Sequence, residues 1–246
     1  ADRLRRGGVG GLLYAHTYGE PSTPGEFFAA AKADDSSLLL IDDRCLCVPD
    51  LEPDPGNPAD VLLYSTGYAK VVDLGAGGYA FLRDEVPYRQ HRLPFRREDL
   101  QALEGAYKQA IASRQPFVYR DGDWLETAAG LPDPDEYRAR IASGLARAQA
   151  QRMALNAVYS ARLPVERQLP PDYQGWRFQL RLPGRDKVLQ AIFAAGLFAS
   201  AHYASLAGIM APGSCPQAEA LAGEVLNLFN DLHYSVEMAE RTCDII

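Results

Sequence analysis

The chain has 246 residues, 47% of them hydrophobic, with a formal net charge of −7. That is enough apolar material for a packed core, in one large domain or in one domain with a smaller lobe. The acidic balance argues against a nucleic-acid partner held through phosphate contacts, and no apolar run has the length of a membrane span.

The sequence starts on alanine and passes from ADRLRRGGVGG almost at once into the apolar LLYAHTYG, without a signal-peptide pattern. So abrupt a start leads us to expect that an N-terminal part of a longer protein is missing. GLLYAHTYG (11–19) reads as a buried strand and a loop. STPGEFFAAAKA (22–33), with its Ser/Thr start, proline and early glutamate, reads as a short helix. SLLLIDD (37–43) and ADVLLYS (59–65) are continuous aliphatic runs that end in polar residues, the pattern of strands covered on both faces in a parallel sheet. Between them VPDLEPDPGNP (48–58) is a loop, and GGYAFLRDE (77–85) adds a further strand.

The texture then changes. REDLQALEGAYKQAIASR (97–114) predicts a helix whose acidic start and basic end suit its dipole. DPDEYRARIASGLARAQAQRMALNAVYSARL (133–163) predicts one long helix of about seven to eight turns. WRFQLRLP (176–183) alternates as a half-buried strand, and GRDKVLQAIFAAGLFAS (184–200) is a helix that ends near Gly196. CPQAEALAGEVLNL (215–228) and SVEMAERTCDII (235–246) read as two further helices. Strands alternating with helices or long connections indicate an α/β sheet in the first half, and from about residue 165 a strand–helix pattern fits a smaller C-terminal lobe. The expected division is 1–132, a connecting helix over 133–163, and 164–246.

The four cysteines, Cys45, Cys47, Cys215 and Cys243, form no CxxC pair and no metal-ligand spacing. They read as reduced thiols of a cytoplasmic protein, and no metal site is expected. In an open α/β sheet, ligands bind beyond the carboxyl ends of the strands, which draws attention to Asp42, Asp43, Ser65 and Lys70. A carboxylate can keep a heteroaromatic nitrogen protonated, a serine hydroxyl can hold a phosphate, and a lysine can bind an aldehyde covalently. Pyridoxal phosphate needs all three. The plain alternative is two solvated turn aspartates and a surface lysine.

LLLIDDRCLC, ADVLLYSTGYAKVVDLGAGGYAFL and CPQAEALAGEVLNL follow one another in the order that resembles the DegT/DnrJ/StrS family of sugar aminotransferases. GGLLYAHTYGEP (10–21) and GLFASAHYASL (196–206) are similar to two more of its segments. The resemblance is weakest over 84–132. It implies an α/β fold type I pyridoxal-phosphate-dependent transferase-like large-domain sheet, partial here, with a smaller α+β C-terminal lobe. By the same resemblance 1–132 is part of the cofactor-binding large domain. Lys70 matches the lysine that binds pyridoxal 5'-phosphate and then moves a proton, Asp43 the partner of the pyridine nitrogen, and Ser65 a phosphate ligand. Asp42 takes a structural place, and Gly75, Gly77 and Gly78 match the turn after the lysine.

Several positions depart from the pattern. Leu46 stands where the family has Gln or His, Thr66-Gly67 replace Phe-His, and Ala76 replaces Glu. The Gly-Thr phosphate loop and the stacking aromatic of the family are absent, so the chain holds half of a cofactor site. His16, His202 and Tyr203 are candidate substrate contacts. His91 with Arg89, Arg92, Arg96 and Arg97 could meet a diphosphate but reads first as a solvated face. Trp176 and Phe178 read as anchors of the small-lobe core, and Cys45 and Cys47 as packing.

The resemblance implies an aminotransferase acting on a nucleotide-linked keto-sugar in polysaccharide or secondary-metabolite biosynthesis, with glutamate as amino donor and a homodimer as the assembly. Two other readings stand beside it. A sugar dehydratase on the same fold is disfavoured by Lys70, since such members carry histidine there. A non-catalytic binding module is favoured by Leu46, Thr66-Gly67 and Ala76.

Overall fold

The computed structural model describes residues 8–246. Among these residues, strands β1 (Gly11–Ala15), β2 (Leu39–Asp43) and β3 (Val61–Ser65) run parallel in that order, and β4 (Gly78–Leu82) closes the sheet antiparallel to β3. The wholly parallel sheet expected for the first half is thus corrected to a mixed one. The cause lies in the β3–β4 connection. A parallel return needs a crossover, usually a helix. The segment 66–77 forms none, and Thr66 N–H donates to the Gly77 carbonyl at 3.1 Å, so the chain turns straight back.

Helix α1 (Gly25–Asp34) joins β1 to β2 and covers one face of this sheet. Phe28 and Ala31 pack there against Leu40, Leu62 and Tyr64, with Leu12, Tyr14, Tyr79 and Phe81 at the margin. Neighbours along a strand face opposite ways, so the second face carries Leu13, Leu39 and Leu82, which are 54%, 37% and 37% exposed. The expected two-sided cover of β2 and β3 is therefore complete on the α1 side and only partial on the other, where Val61 is buried and Ile41 and Leu63 are half-buried.

Helix α2 (Arg97–Ser113) ends where Arg114 adopts a left-handed conformation. Helix α3 (Pro134–Arg162) starts under Asp133, whose carboxylate accepts from the N–H groups of Asp135 and Glu136, with proline in its first turn. Then follow β5 (Phe178–Arg181), α4 (Arg185–Ala194), the short β6 (Ala199–Ser200), α5 (Pro216–Glu224), β7 (Val225–Leu228) and α6 (Val236–Ile245). The last three strands form an antiparallel sheet in the order β5-β7-β6.

Two expectations change here. The helix expected over 215–228 stops at Glu224, and VLNL becomes the central strand of the second sheet, buried at all four positions. A short apolar run of this kind fits a buried strand as well as a helix, and pairing on both edges decided it. The strand in 176–183 is also more enclosed than its alternation suggests, with Phe178, Gln179 and Leu180 all buried. Leu155 and Tyr159 of α3 pack with Phe178, Leu180, Ile192, Leu226 and Leu228 into one core. A third cluster joins the two sheets: Tyr18, Leu46, Val71, Leu169, Trp176 and Val225. No helix among the described residues is long and apolar enough to cross a membrane.

Candidate active site

Asp42 and Asp43 are neighbours with opposite fates. Asp42 shares the α1 face of β2 with Leu40 and is wholly buried. Its Oδ1 lies 2.5 Å from His16 Nε2, and its Oδ2 accepts from Asn57 Nδ2 at 2.6 Å. Arg44 Nε stands 3.8 Å from the same oxygen. His16 Nδ1 contacts the Glu20 carbonyl at 2.6 Å. A carbonyl only accepts, so Nδ1 is the donor in that contact. The ring lies edge-on to Tyr14, at 5.0 Å between centroids. His16, a candidate substrate contact by its sequence position, stands on the α1 side of the sheet with its side chain fully enclosed. Its partner is the adjacent buried carboxylate, and Asp42 keeps the structural place expected of it.

Asp43 points the other way and is half-buried at the carboxyl end of β2. Its Oδ1 accepts from Cys45 N–H at 3.0 Å in a turn just beyond the strand. Asp43 pairs with Leu63 across the β2–β3 ladder, which puts Ser65 on the same face. The Ser65 Oγ receives Gly67 N–H at 3.3 Å. Lys70 follows in the β3–β4 loop. Burial first, then the Asp43 carboxylate, push the Cys45 thiol up to about 12, while the Lys70 ammonium pulls it down. Cys45 therefore stays a thiol, tied to Asp43 through its own N–H.

The lysine loop is tightly held. Asp73 accepts from the N–H groups of Ala69 and Gly75, both at 2.8 Å. Gly77 has φ of 90°, and the Tyr137 hydroxyl stands 2.8 Å from where a Cβ would be. Thr66 is buried, donates to the Ala76 carbonyl at 2.9 Å and meets the Tyr137 hydroxyl. Val71 and Val72 anchor the loop in the interior.

An aromatic stack stands beside these residues. Tyr203 lies parallel to Trp176, with centroids 6.0 Å apart, and parallel to Tyr18 at 6.3 Å. Burial chiefly raises the Tyr203 phenol, and the neighbouring Tyr18 adds to the rise. Tyr18 reaches the stack because the chain turns sharply after β1. Gly19 has φ of 77°, and a Cβ there would lie 2.2 Å from the Leu46 carbonyl oxygen. His202 sits 6.2 Å from Trp176, and burial, then the Arg177 guanidinium, hold its imidazole below the usual value.

The turn that carries His202 is fixed by Asn227, in the middle of VLNL. Its Oδ1 accepts from His202 N–H at 2.7 Å and from Ser200 Oγ at 3.1 Å, and its Nδ2 donates to Gln179 Oε1 at 2.5 Å. The sequence offered one sign of this, a polar residue inside an apolar run. Asn57 and Arg44 gave none. Trp176, expected in the small-lobe core, belongs with Tyr18 and Val71 between the two sheets; Phe178 does sit in the C-terminal core.

The arrangement resembles solved structures. A DegT/DnrJ/EryC1/StrS aminotransferase from Brucella abortus is 17% identical with a TM-score of 0.59, over 95% of this chain and 62% of that one. The aminotransferase DesV of S. venezuelae is 22% identical with a TM-score of 0.59, over 96% of this chain and 63% of that one. A protein from Streptococcus pneumoniae described as a sugar aminotransferase, in its PLP form, is 14% identical with a TM-score of 0.60, over 100% and 72%. The chain has the aminotransferase fold. At these identities the likeness is one of fold, and the chain spans 62% and 63% of the length of the first two. No family model matches the chain, and no curated protein does. Within the aminotransferase fold, Asp43, Ser65 and Lys70 lie at or just beyond the carboxyl ends of β2 and β3, where open α/β sheets bind ligands.

Proposed function

We propose that this chain is part of a pyridoxal-phosphate-dependent aminotransferase of the DegT/DnrJ/StrS family that acts on a nucleotide-linked keto-sugar, with glutamate as the amino donor. The observation that carries the proposal is that Asp43 and Ser65 share one face at the carboxyl ends of β2 and β3, with Lys70 in the loop that leaves β3, in a chain of this fold. The residues suit the cofactor. A half-buried carboxylate and a serine hydroxyl stand at strand ends with an amine in the loop that follows, and that loop closes on a turn so tight that Gly77 has no room for a Cβ.

The bound cofactor would supply an electron sink for the carbanion formed at the amine-bearing carbon. Asp43 would hold a proton on the pyridine nitrogen through its carboxylate. Ser65 would donate its hydroxyl to a phosphate oxygen. Lys70 would hold the cofactor through Nζ and, once released, carry a proton between two carbon positions. Tyr203, 43% exposed on the face of Trp176, offers a flat surface to the sugar, and His202 a neutral imidazole. The division into a large-domain part (1–132), a connecting helix (133–163) and a small domain (164–246) belongs to the same proposal, as does a homodimer.

The test uses the whole protein that contains this chain. Borohydride reduction after addition of pyridoxal phosphate should leave a covalent adduct that peptide mapping finds on Lys70. An adduct on another lysine, or none, would sink the assignment. A second reading, a binding module that has lost catalysis, draws on Leu46 and Thr66. Leu46 is buried in the apolar cluster between the sheets, and Thr66 spends its hydroxyl on Ala76 and Tyr137. Ligand binding without an adduct would favour that reading.

A further inference from the structure

Ala69, the residue before Lys70, has φ of 60° without being glycine. That left-handed conformation costs an alanine about 1 kcal/mol, and something must hold it. Trp176 supplies a partner from far along the chain: its Nε1–H donates to the Ala69 carbonyl at 2.7 Å. The next carbonyl, that of Lys70, accepts from Arg152 Nη2 at 3.3 Å. Both donors come from the C-terminal half, and both are buried. Trp176 has a second contact of consequence. Its ring lies parallel to Tyr203, 13° from coplanar. One indole therefore grips the loop that carries the candidate amine with its edge, and carries the candidate substrate ring on its face.

We infer that Trp176 is a positioning residue for Lys70 and Tyr203 together, with Arg152 as a second support of the lysine. Its N–H fixes the peptide that precedes Lys70 and so fixes where the side chain leaves the backbone. Its ring fixes the distance between that amine and the Tyr203 face. Trp176 itself touches no reacting atom. The geometry ties the placement of the amine to the fold of the C-terminal sheet, so the lysine loop does not set its own conformation. This inference rests on the reading of Lys70 as the reactive amine.

The chain has four lysines, Lys32, Lys70, Lys108 and Lys187, which gives the test an internal control. The protein is treated with pyridoxal phosphate, reduced with borohydride and mapped, and the rate of labelling at each lysine is measured. Two variants are compared with the parent: Trp176→Phe, and Trp176 replaced by benzothienylalanine, which exchanges the indole N–H for sulfur at nearly equal shape. Lys70 should react fastest in the parent. In both variants its rate relative to Lys187 should fall by about fivefold, the factor that one neutral hydrogen bond commands. The rates at Lys32 and Lys108 should stay unchanged, and the benzothienylalanine protein should still melt in one cooperative transition. Arg152→Met should lower the Lys70 rate in the same direction. A parent that favours Lys70 and a benzothienylalanine protein that favours it equally would overturn the positioning role and leave the proposed function standing. A parent with no preference for Lys70 would overturn the proposed function, and this inference with it.

Discussion

The two sheets of this molecule are built on different terms. In the second, β7 is buried at all four positions and its neighbours pack into a single core with α3, α4 and α6. In the first, α1 seals one face, and Leu13, Leu39 and Leu82 look outward from the other. The candidate chemistry sits on the first sheet, at the end of the open face, while the residues that steady it come from the second. A sheet enclosed on both faces has little room for a ligand. A sheet with one open face can offer strand-end side chains, provided that other elements hold their backbone. Trp176 and Arg152 do this here from the C-terminal half.

The contrast between Asp42 and Asp43 breaks first if it is wrong. Asp42→Ala strands a buried histidine, arginine and asparagine, and should cost about 3–5 kcal/mol of stability in urea titrations. Asp43→Ala, at a half-exposed position, should cost under about 1 kcal/mol and yet reduce transamination far more than its stability loss explains. Equal stability losses in the two variants would show that the strand faces are misread. The contrast between the sheets comes next. Leu226→Ala, at a fully buried position of β7, should cost about 2–5 kcal/mol, whereas Leu13→Ala should change stability by less than about 0.5 kcal/mol. Similar midpoints for both would mean that the open face is covered in solution.

Gly19→Ala should cost about 2 kcal/mol or more, because the turn needs a positive φ and the new methyl would collide with the Leu46 carbonyl. A lowered melting midpoint reads this cost directly. The smallest effect expected is on pH. The His202 imidazole is depressed in the folded state, so the stability it brings is complete above its ordinary value of 6.5 and declines as pH falls below that. His202→Gln should therefore flatten part of the loss of melting temperature between about pH 7 and 5. A variant that tracks the parent over this window would remove His202 from the account.

Much of the frame was legible in the sequence. The aliphatic runs 37–43 and 59–65 gave β2 and β3, and the capping residues and periodicity gave α3 to within a residue at each end. The polar ends of those runs pointed at Asp43, Ser65 and Lys70, because strand ends are where open sheets bind ligands. Local pattern also separated Asp42 from Asp43, since alternation alone sends neighbours to opposite faces.

What only the tertiary structure decided were the contacts between segments far apart in the chain. VLNL could be helix or strand until β5 and β6 paired with it. His16 could face the pocket until Asp42, 26 residues on, took its Nε2. Trp176 read as an anchor of the small-lobe core until its N–H met the Ala69 carbonyl, 107 residues away. Periodicity and capping act within a few residues of one another and are written in the local sequence. A hydrogen bond across such a separation depends on where two independently formed pieces of backbone come to rest, and packing alone fixes that.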